Sequence, residues 1–412
     1  MIYLFIHQSF PAQYLHLASH LASQPGNEVY FITQMDQHEI AGVRKLVYRP
    51  DLPPGSNCHP YVAPYDAAVR TATAVMEVCR ALRDAGTVPD LVIGHCGWGE
   101  TLLVKDVFPD TPVLAYFEYY YRAEGADVGF DREFVPSSEK DAARLRVRNT
   151  INHMSFEACD WGHTATEWQR SLFPKDMQAR IITLHEGIDT QKIRPNPDAW
   201  LKLGRNEIVL TRDEEVITYV ARSLEPYRGF HCLMRALPEV LRRRPKAHVV
   251  VLGGDGVSYG DPPPYGGTYR EMMLAELGDR IDLERVHFLG QVPKDVYLNV
   301  LQVSSVHIYF TYPFVLSWSL LEAMAAGCLV LGSANQPVLE VLRDGANGLA
   351  TDMFSPEQIC DRIDEVLEHP DRMRAVRNAA RAAVVRTYDL RTQTLPRWRD
   401  LLQSLLEPRS CG

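Results

Sequence analysis

Two arginines, Arg222 and Arg228, stand in a loop between a strand-like run, Val216 to Val220, and a helical pattern that opens at Phe230. A guanidinium fork matches phosphate oxygens, and a helix N-terminus adds a favourable dipole. The loop could hold a diphosphate; a pair of exposed surface arginines is the plainer alternative. The next strand ends at Leu252-Gly253-Gly254-Asp255-Gly256, where glycines let backbone approach a ligand closely. Further on, Leu316-Ser317-Trp318-Ser319 precedes a helical run from Leu320 to Gly327. Such a helix start offers free N–H groups, and Ser317 and Ser319 can add hydroxyls. Glu322, one or two turns in, could take both hydroxyls of a ribose or simply complement the helix dipole. Asp255 and Asp261 form no compact pair, and no spacing of His, Cys, Asp and Glu predicts a metal site.

The first half carries a second group of candidates. His95 follows the apolar run Leu91 to Gly94 and sits among small residues in Gly94-His95-Cys96-Gly97-Trp98-Gly99-Glu100. It could touch a substrate, although a lone histidine is more often satisfied structurally. Phe10 and Gln13 lie in His7-Gln8-Ser9-Phe10-Pro11-Ala12-Gln13, another strand-to-helix loop. Phe117-Glu118-Tyr119-Tyr120-Tyr121-Arg122 could stack an acceptor, or could be a buried strand end. With Phe10, Gln13 and Trp98, we place Tyr120 and Arg122 on an acceptor side. Arg144, Arg146 and Arg148 alternate with apolar residues and read as a solvated helix rather than a phosphate site.

The elements that must position these residues repeat one rhythm. Strands are predicted over 2–6, 28–33, 91–94 and 113–117, with helices over 12–22 and 65–85 between them. The rhythm restarts with strands at 216–220, 247–253, 286–289, 306–310 and 329–332, and helices at 230–243 and 320–326. Alternation of this kind predicts parallel sheets covered on both faces. A chain of 412 residues exceeds one ordinary core. We expect a first domain over 1–187, completed by a C-terminal crossing helix over 388–412, and a second over 188–387. In open sheets of this type ligands bind beyond the carboxyl ends of the strands, where every candidate above lies.

Composition excludes several classes. The net charge of -9 gives no global reason to bind nucleic acid. The densest basic run, Arg242-Arg243-Arg244-Pro245-Lys246, reads as a solvated helix end. Eight scattered cysteines without a CxxC pair suit a reducing, cytoplasmic setting. The N-terminus lacks the basic region of a signal peptide, and no apolar stretch is long enough to span a bilayer. Membrane contact is expected to be peripheral at most.

Together these loops resemble the retaining glycosyltransferases of family 4, whose GT-B fold sets two Rossmann-like domains face to face across a cleft. The shared features are Arg222 and Arg228 before Gly229, Gly254 with Gly256, Val286-His287-Phe288-Leu289-Gly290, Leu321-Glu322-Ala323-Met324-Ala325-Ala326-Gly327, and Glu340 through Gly348. His7 to Gln13 is similar to a bacterial subgroup with H-Q-x-F-P-x-Q, and Leu184 to Asp189 resembles the family's interdomain hinge. The resemblance implies that Arg222 and Arg228 neutralise a donor diphosphate. It also implies that Glu322 binds the ribose, that backbone at Leu289 and Gly290 meets the base, and that His95 contacts the transferring sugar. Gly254, Asp255, Phe314, Leu316, Ser317, Trp318 and Ser319 complete the expected donor side.

The chain departs from the family pattern in three places. Phe314 replaces the family's first acid, which holds a donor-sugar hydroxyl; Arg228 replaces a lysine; Pro11-Ala12 replaces first-loop glycines. Phe314 could pack on a less hydroxylated sugar face, such as that of a deoxy or acetamido sugar, or it could fill the core. The implied reaction moves a sugar from a nucleoside diphosphate sugar, UDP before GDP, to an acceptor hydroxyl with retention and without a metal or other cofactor. A sugar-nucleotide epimerase and a non-catalytic scaffold of the same fold are the rival expectations.

Overall fold

The computed structural model describes residues 1–51, 58–204 and 208–407. The end of the expected 388–412 segment therefore lies outside the described residues. The chain divides into two compact units. The first comprises Met1–Glu124, Ser137–Gly187 and the residues from Leu390 onward; the second comprises Gly125–Pro136 and Ile188–Asp389. The chain passes from the first unit to the second after Gly187 and returns after Asp389. Gly125–Pro136 lies in the first half of the sequence but packs with the second unit.

The first unit holds a seven-stranded parallel sheet. Its strands are β1 (Ile2–Ile6), β2 (Glu28–Thr33), β3 (Val43–Val47), β4 (Leu91–His95), β5 (Val113–Tyr116), β6 (Trp161–Thr164) and β7 (Ile181–Thr183). Their order is β3-β2-β1-β4-β5-β6-β7. Every residue of β4 is buried, as a strand covered on both faces requires. One face packs Val75, Cys79 and Phe108; the other packs Tyr14, Leu17 and Leu21 together with Trp398 and Leu402. Those last two come from the helix Leu395–Leu406, so the C-terminal helix does complete the first core. Gly187, at the crossing, has φ 97° and passes so close to Thr394 that a Cβ would clash with its hydroxyl.

The second unit begins with a short antiparallel pair, β8 (Leu201–Leu203) and β9 (Ile208–Leu210). Its six-stranded parallel sheet comprises β10 (Val216–Ser223), β11 (His248–Gly254), β12 (Val286–Gly290), β13 (Val306–Tyr309), β14 (Val330–Ser333) and β15 (Leu349–Thr351). Their order is β12-β11-β10-β13-β14-β15. Both orders reverse direction beside the first strand of the unit, which is where such sheets open a ligand crevice. The helix Phe230–Arg243 buries Leu233, Leu237, Val240 and Leu241 against this sheet.

The basic run is more than a solvated helix end. Arg243 binds Glu239, Asp361 and Asp364, and Arg244 binds Asp364 and Glu368, which fastens two helices together. The inserted segment is fastened as firmly. Asp127 accepts from the Tyr227 hydroxyl at 2.7 Å, Asp131 accepts from Tyr312 and lies 3.0 Å from His231 Nε2, and Glu133 meets Arg235 through two hydrogen bonds. Burial would push the Asp131 carboxyl up, but the hydrogen bonds from His231 and Tyr312 prevail and hold it at about 2. Among the described residues, no helix is long and apolar enough to cross a membrane.

Candidate active site

The carboxyl end of β10 runs into the loop that carries both arginines. Arg222 is exposed and lines a cavity of about 390 Å³ with Val220, Gly253, Gly290, Lys294 and Tyr297. Arg228 is buried in a short 3-10 turn. Its Nη1 donates to Thr311 Oγ1 at 2.9 Å and to the Val315 carbonyl at 3.0 Å, and its guanidinium lies 4.9 Å from the centre of the Tyr259 ring. Neither arginine is paired with an acid among the described residues. Gly229 follows with φ 67°, and a Cβ there would lie 2.4 Å from the Phe310 Cβ. Only glycine lets the helix Phe230–Arg243 start this close to β13.

Glu225, between the arginines, is fully buried. Its carboxylate accepts from the backbone N–H groups of Ser258, Tyr259 and Gly260 at 3.0–3.1 Å. Sequence reading passed over this residue, although an acid in an arginine loop was a signal. The clamp fixes the loop after β11 and thereby sets Tyr259 over Arg228. Asp255 is committed elsewhere, to Arg270 at 2.6 Å, so the structure gives it an ion-pair role. Gly254 lies at the end of β11, where an added Cβ would come 3.2 Å from the Gln291 amide nitrogen.

The helix Trp318–Ala326 starts two residues before the expected Leu320. The Ser317 hydroxyl accepts from the Ser319 N–H and hydroxyl, and the Ser317 N–H donates to the Tyr309 hydroxyl. Ser317 therefore caps the helix, and Ser319 supports the cap by donating to it. Leu316 packs on the neighbouring core, and Trp318, partly exposed, opens the first turn. Glu322 is buried; its Oε1 accepts from Lys294 Nζ at 2.6 Å and its Oε2 from the Tyr297 hydroxyl at 2.5 Å. Lys294 and Tyr297 also line the cavity with Arg222 and Gly290, so Glu322 lies behind two of the residues that line it. Neither Lys294 nor Tyr297 was found from sequence, because only the sheet order brings their helix beside Glu322. Leu289 packs on the core beneath, and Gly290 has φ 66°.

Phe314 is half-buried. Its ring stands edge-on to Tyr227 at 5.4 Å and meets Tyr259 at 5.2 Å. It belongs to an aromatic group that continues through Tyr312 to Phe130. Phe314 packs partly buried against the core of the second unit.

In the first unit, His95 closes β4 and is buried. Its Nδ1 accepts from the Gly97 N–H at 3.0 Å, so the neutral ring carries its proton on Nε2. Glu118 Oε2 lies 3.5 Å from that nitrogen, and Glu118 Oε1 accepts from the Gln13 amide at 3.1 Å. Trp98, partly exposed, stacks on the imidazole at 4.3 Å. Gln13, His95 and Trp98 therefore come together, joined by Glu118, which sequence reading quoted without giving it a role. Glu100 is sealed beneath. Burial pushes its carboxyl up to about 7, against the pull of His95 and nearby backbone amides.

Three residues expected on the acceptor side make contacts within the first unit. Phe10 is buried against Phe31 at 4.9 Å. The Tyr120 hydroxyl bonds His153, and its ring packs on Phe173. Arg122 donates from Nε and Nη2 to the Leu172 carbonyl, where it caps a helix end. Among the described residues, no group of three or more His, Cys, Asp or Glu is placed to hold a metal.

Two domains with parallel sheets, each carrying its polar residues at strand carboxyl ends, define a GT-B protein. Comparison with known proteins agrees. Residues 25–193 match the Glycosyl transferase family 4 group, and residues 204–383 match Glycosyl transferases group 1. The chain belongs to the family 4 glycosyltransferases. It is 24% identical over 290 residues to the D-inositol 3-phosphate glycosyltransferase of Corynebacterium aurimucosum, covering 70% of this chain and 64% of that protein. Sucrose-phosphate synthase from Thermosynechococcus elongatus superposes with a TM-score of 0.69 at 17% identity, over 98% of this chain and 100% of that one. HepE of Anabaena in complex with UDP-glucose superposes with a TM-score of 0.68 at 15% identity, again over 98% and 100%.

Proposed function

We propose that the protein transfers a sugar, with retention, from a nucleoside diphosphate sugar to an acceptor hydroxyl. The observation that carries this reading is the pair Arg222 and Arg228. One is exposed on a cavity wall, one is buried, and neither is paired with an acid among the described residues. Arg228 makes no ion pair of its own, although the Glu225 charge attracts it, and a diphosphate would give both guanidiniums a direct anionic partner. Glu322 at the same cavity takes the ribose, and the backbone at Leu289 and Gly290 takes the base. Uridine is the favoured nucleoside, by analogy with the UDP-glucose held by HepE.

Charge develops on the leaving diphosphate, and the arginines stabilise it there without reorganising. As the family resemblance implies, His95, with Glu118 3.5 Å from its Nε2 and a face covered by Trp98, contacts the transferring sugar. The leaving phosphate oxygen takes the acceptor proton, so no enzymic carboxylate need act as nucleophile. Gln13 and Glu118 orient the acceptor. Neither a metal nor another cofactor is required by this scheme.

Thermal stabilisation by UDP, GDP and their common sugars tests the reading, with Arg222→Ala as control. A ligand at about 100 times its Kd stabilises by about 2.7 kcal/mol, which is several degrees for a domain of this size. One diphosphate should raise the melting temperature of the wild type and not of the variant. Product anomers identified by NMR then test retention. If no nucleotide stabilises the wild type, the donor assignment is wrong.

A further inference from the structure

We propose that the donor sugar turns a hydroxyl-poor edge, a methyl of a 6-deoxy or N-acetyl sugar, onto an aromatic wall formed by Phe314, Tyr259 and Tyr227. The inference rests on the nucleoside diphosphate reading above and extends it to the class of sugar.

The nucleoside and the sugar lie at opposite ends of a diphosphate. If the cavity of Gly290, Lys294 and Tyr297 takes the nucleoside, the surface on the Arg228 side takes the sugar. That surface is built of rings. The Tyr259 ring covers the Arg228 guanidinium at 4.9 Å, and Phe314 meets Tyr259 at 5.2 Å and Tyr227 at 5.4 Å. Tyr259 is 39% exposed and Phe314 is half-buried, so both keep open surface. The wall is also rigid. Glu225 pins the backbone of Ser258, Tyr259 and Gly260 through three hydrogen bonds, and the Tyr227 hydroxyl is committed to Asp127.

Acceptors for sugar hydroxyls are scarce here. Thr311 through Ser319 contains no acid. Glu225 is spent on backbone amides, and Glu322 faces Lys294 and Tyr297. The Thr311 hydroxyl and the Val315 carbonyl already accept from Arg228. A hydroxyl pressed on this wall loses its water partners and gains none, whereas a methyl gains contact. An apolar wall of this kind discriminates by about tenfold to a hundredfold.

The test is calorimetric titration with UDP, UDP-glucose, UDP-N-acetylglucosamine and a UDP-6-deoxyhexose. Measurements use wild type, Phe314→Leu and Phe314→Asp. The quantity read is the ratio of the UDP Kd to the Kd of each UDP-sugar. We expect this ratio to be at least tenfold higher for the acetamido or the deoxy sugar than for glucose. Phe314→Leu, which keeps an apolar side chain, should retain the order, and Phe314→Asp should reverse it in favour of glucose. Equal ratios for all three sugars in the wild type, or an order that Phe314→Asp leaves unchanged, would overturn the proposal. If neither UDP nor GDP binds the wild type, the nucleotide reading falls first and takes the sugar assignment with it; if GDP alone binds, the same ratios are read with the GDP-sugars.

Discussion

Replacing Glu322 with glutamine should cripple nucleotide binding and leave the fold almost untouched. A carboxylate offers about four lone-pair sites over its two oxygens. Lys294 occupies one on Oε1 and Tyr297 one on Oε2, leaving two for the 2′ and 3′ hydroxyls of a ribose. Hydrogen bonds to a charged acceptor contribute about 1.5–3 kcal/mol each. The glutamine amide keeps one oxygen and turns an NH2 toward donors, so about 2 kcal/mol of binding is lost, roughly thirtyfold in Kd. Stability should change far less. The Lys294 side chain is 59% exposed, and a pair so exposed contributes about 1 kcal/mol or less. The assay is titration of wild type and Glu322→Gln with UDP and with 2′-deoxy-UDP. Wild type should lose affinity for the deoxy nucleotide, and the variant should bind both equally weakly, a coupling expected only if the two groups touch. If the variant binds UDP within twofold of wild type, or still prefers UDP to its deoxy analogue, Glu322 does not hold the ribose.

Other consequences follow from the same geometry. Gly229→Ala puts a Cβ 2.4 Å from Phe310 at a left-handed φ, and should destabilise by about 3 kcal/mol or more, read by urea unfolding. His163 and His307 are buried with pKa values lowered by burial to about 3, so unfolding, not the native state, takes up their protons. Their stabilising contribution is present above the unfolded value near 6.5 and is lost as pH falls toward 3. The loss has a slope of about 1.4 kcal/mol per pH unit for each histidine. His163→Phe should flatten the pH dependence of the urea midpoint over that range, and an unchanged slope would refute the assignment. Arg244 binds Asp364 and Glu368 with its side chain only 15% exposed; Arg244→Ala should cost about 1–2 kcal/mol, less in 1 M salt, as measured by thermal melting.

How much of this was legible in the sequence depends on how local each signal is. The helix Phe230–Arg243 was read to the residue, because its apolar period and Gly229 are both local. Strands such as Ile2–Ile6 were equally plain as uninterrupted apolar runs. Val43–Val47, with Arg44 and Lys45 in its middle, and Trp161–Thr164, with a buried His163, were missed. They are edge or near-edge strands that hydrogen-bond without an apolar signature. At the site, Arg222, Arg228 and His95 could be singled out because each lies at or just beyond a strand end, and Glu322 because it lies near a helix start. Lys294, Tyr297, Glu225 and Tyr259 could not, since their partners are set by strand order and by a loop clamp. The basic run Arg242 to Arg244 does end a helix, but its distant partners were illegible for the same reason: besides the local Glu239, its acids lie in Pro356–Glu368, more than a hundred residues away in sequence.

The acidic balance of the chain does not argue against a diphosphate site. A net charge of -9 spread over 412 residues acts weakly beyond about 8 Å at physiological salt, so the charges close to the ligand decide. Close by, the negative groups are already answered. Glu225 is balanced by three backbone N–H groups and Glu322 by Lys294, while Asp255 is paired with Arg270. The positive groups are not balanced in the same way. Arg228 donates to a hydroxyl and a carbonyl, lies over an aromatic ring and is attracted by the Glu225 charge, but makes no ion pair of its own among the described residues, and Arg222 stands open on the cavity. The local surplus is therefore cationic although the chain is anionic. A salt-sensitive association with a polyanion follows from that surplus, and Arg222→Ala should remove more of the salt dependence than any distant charge reversal.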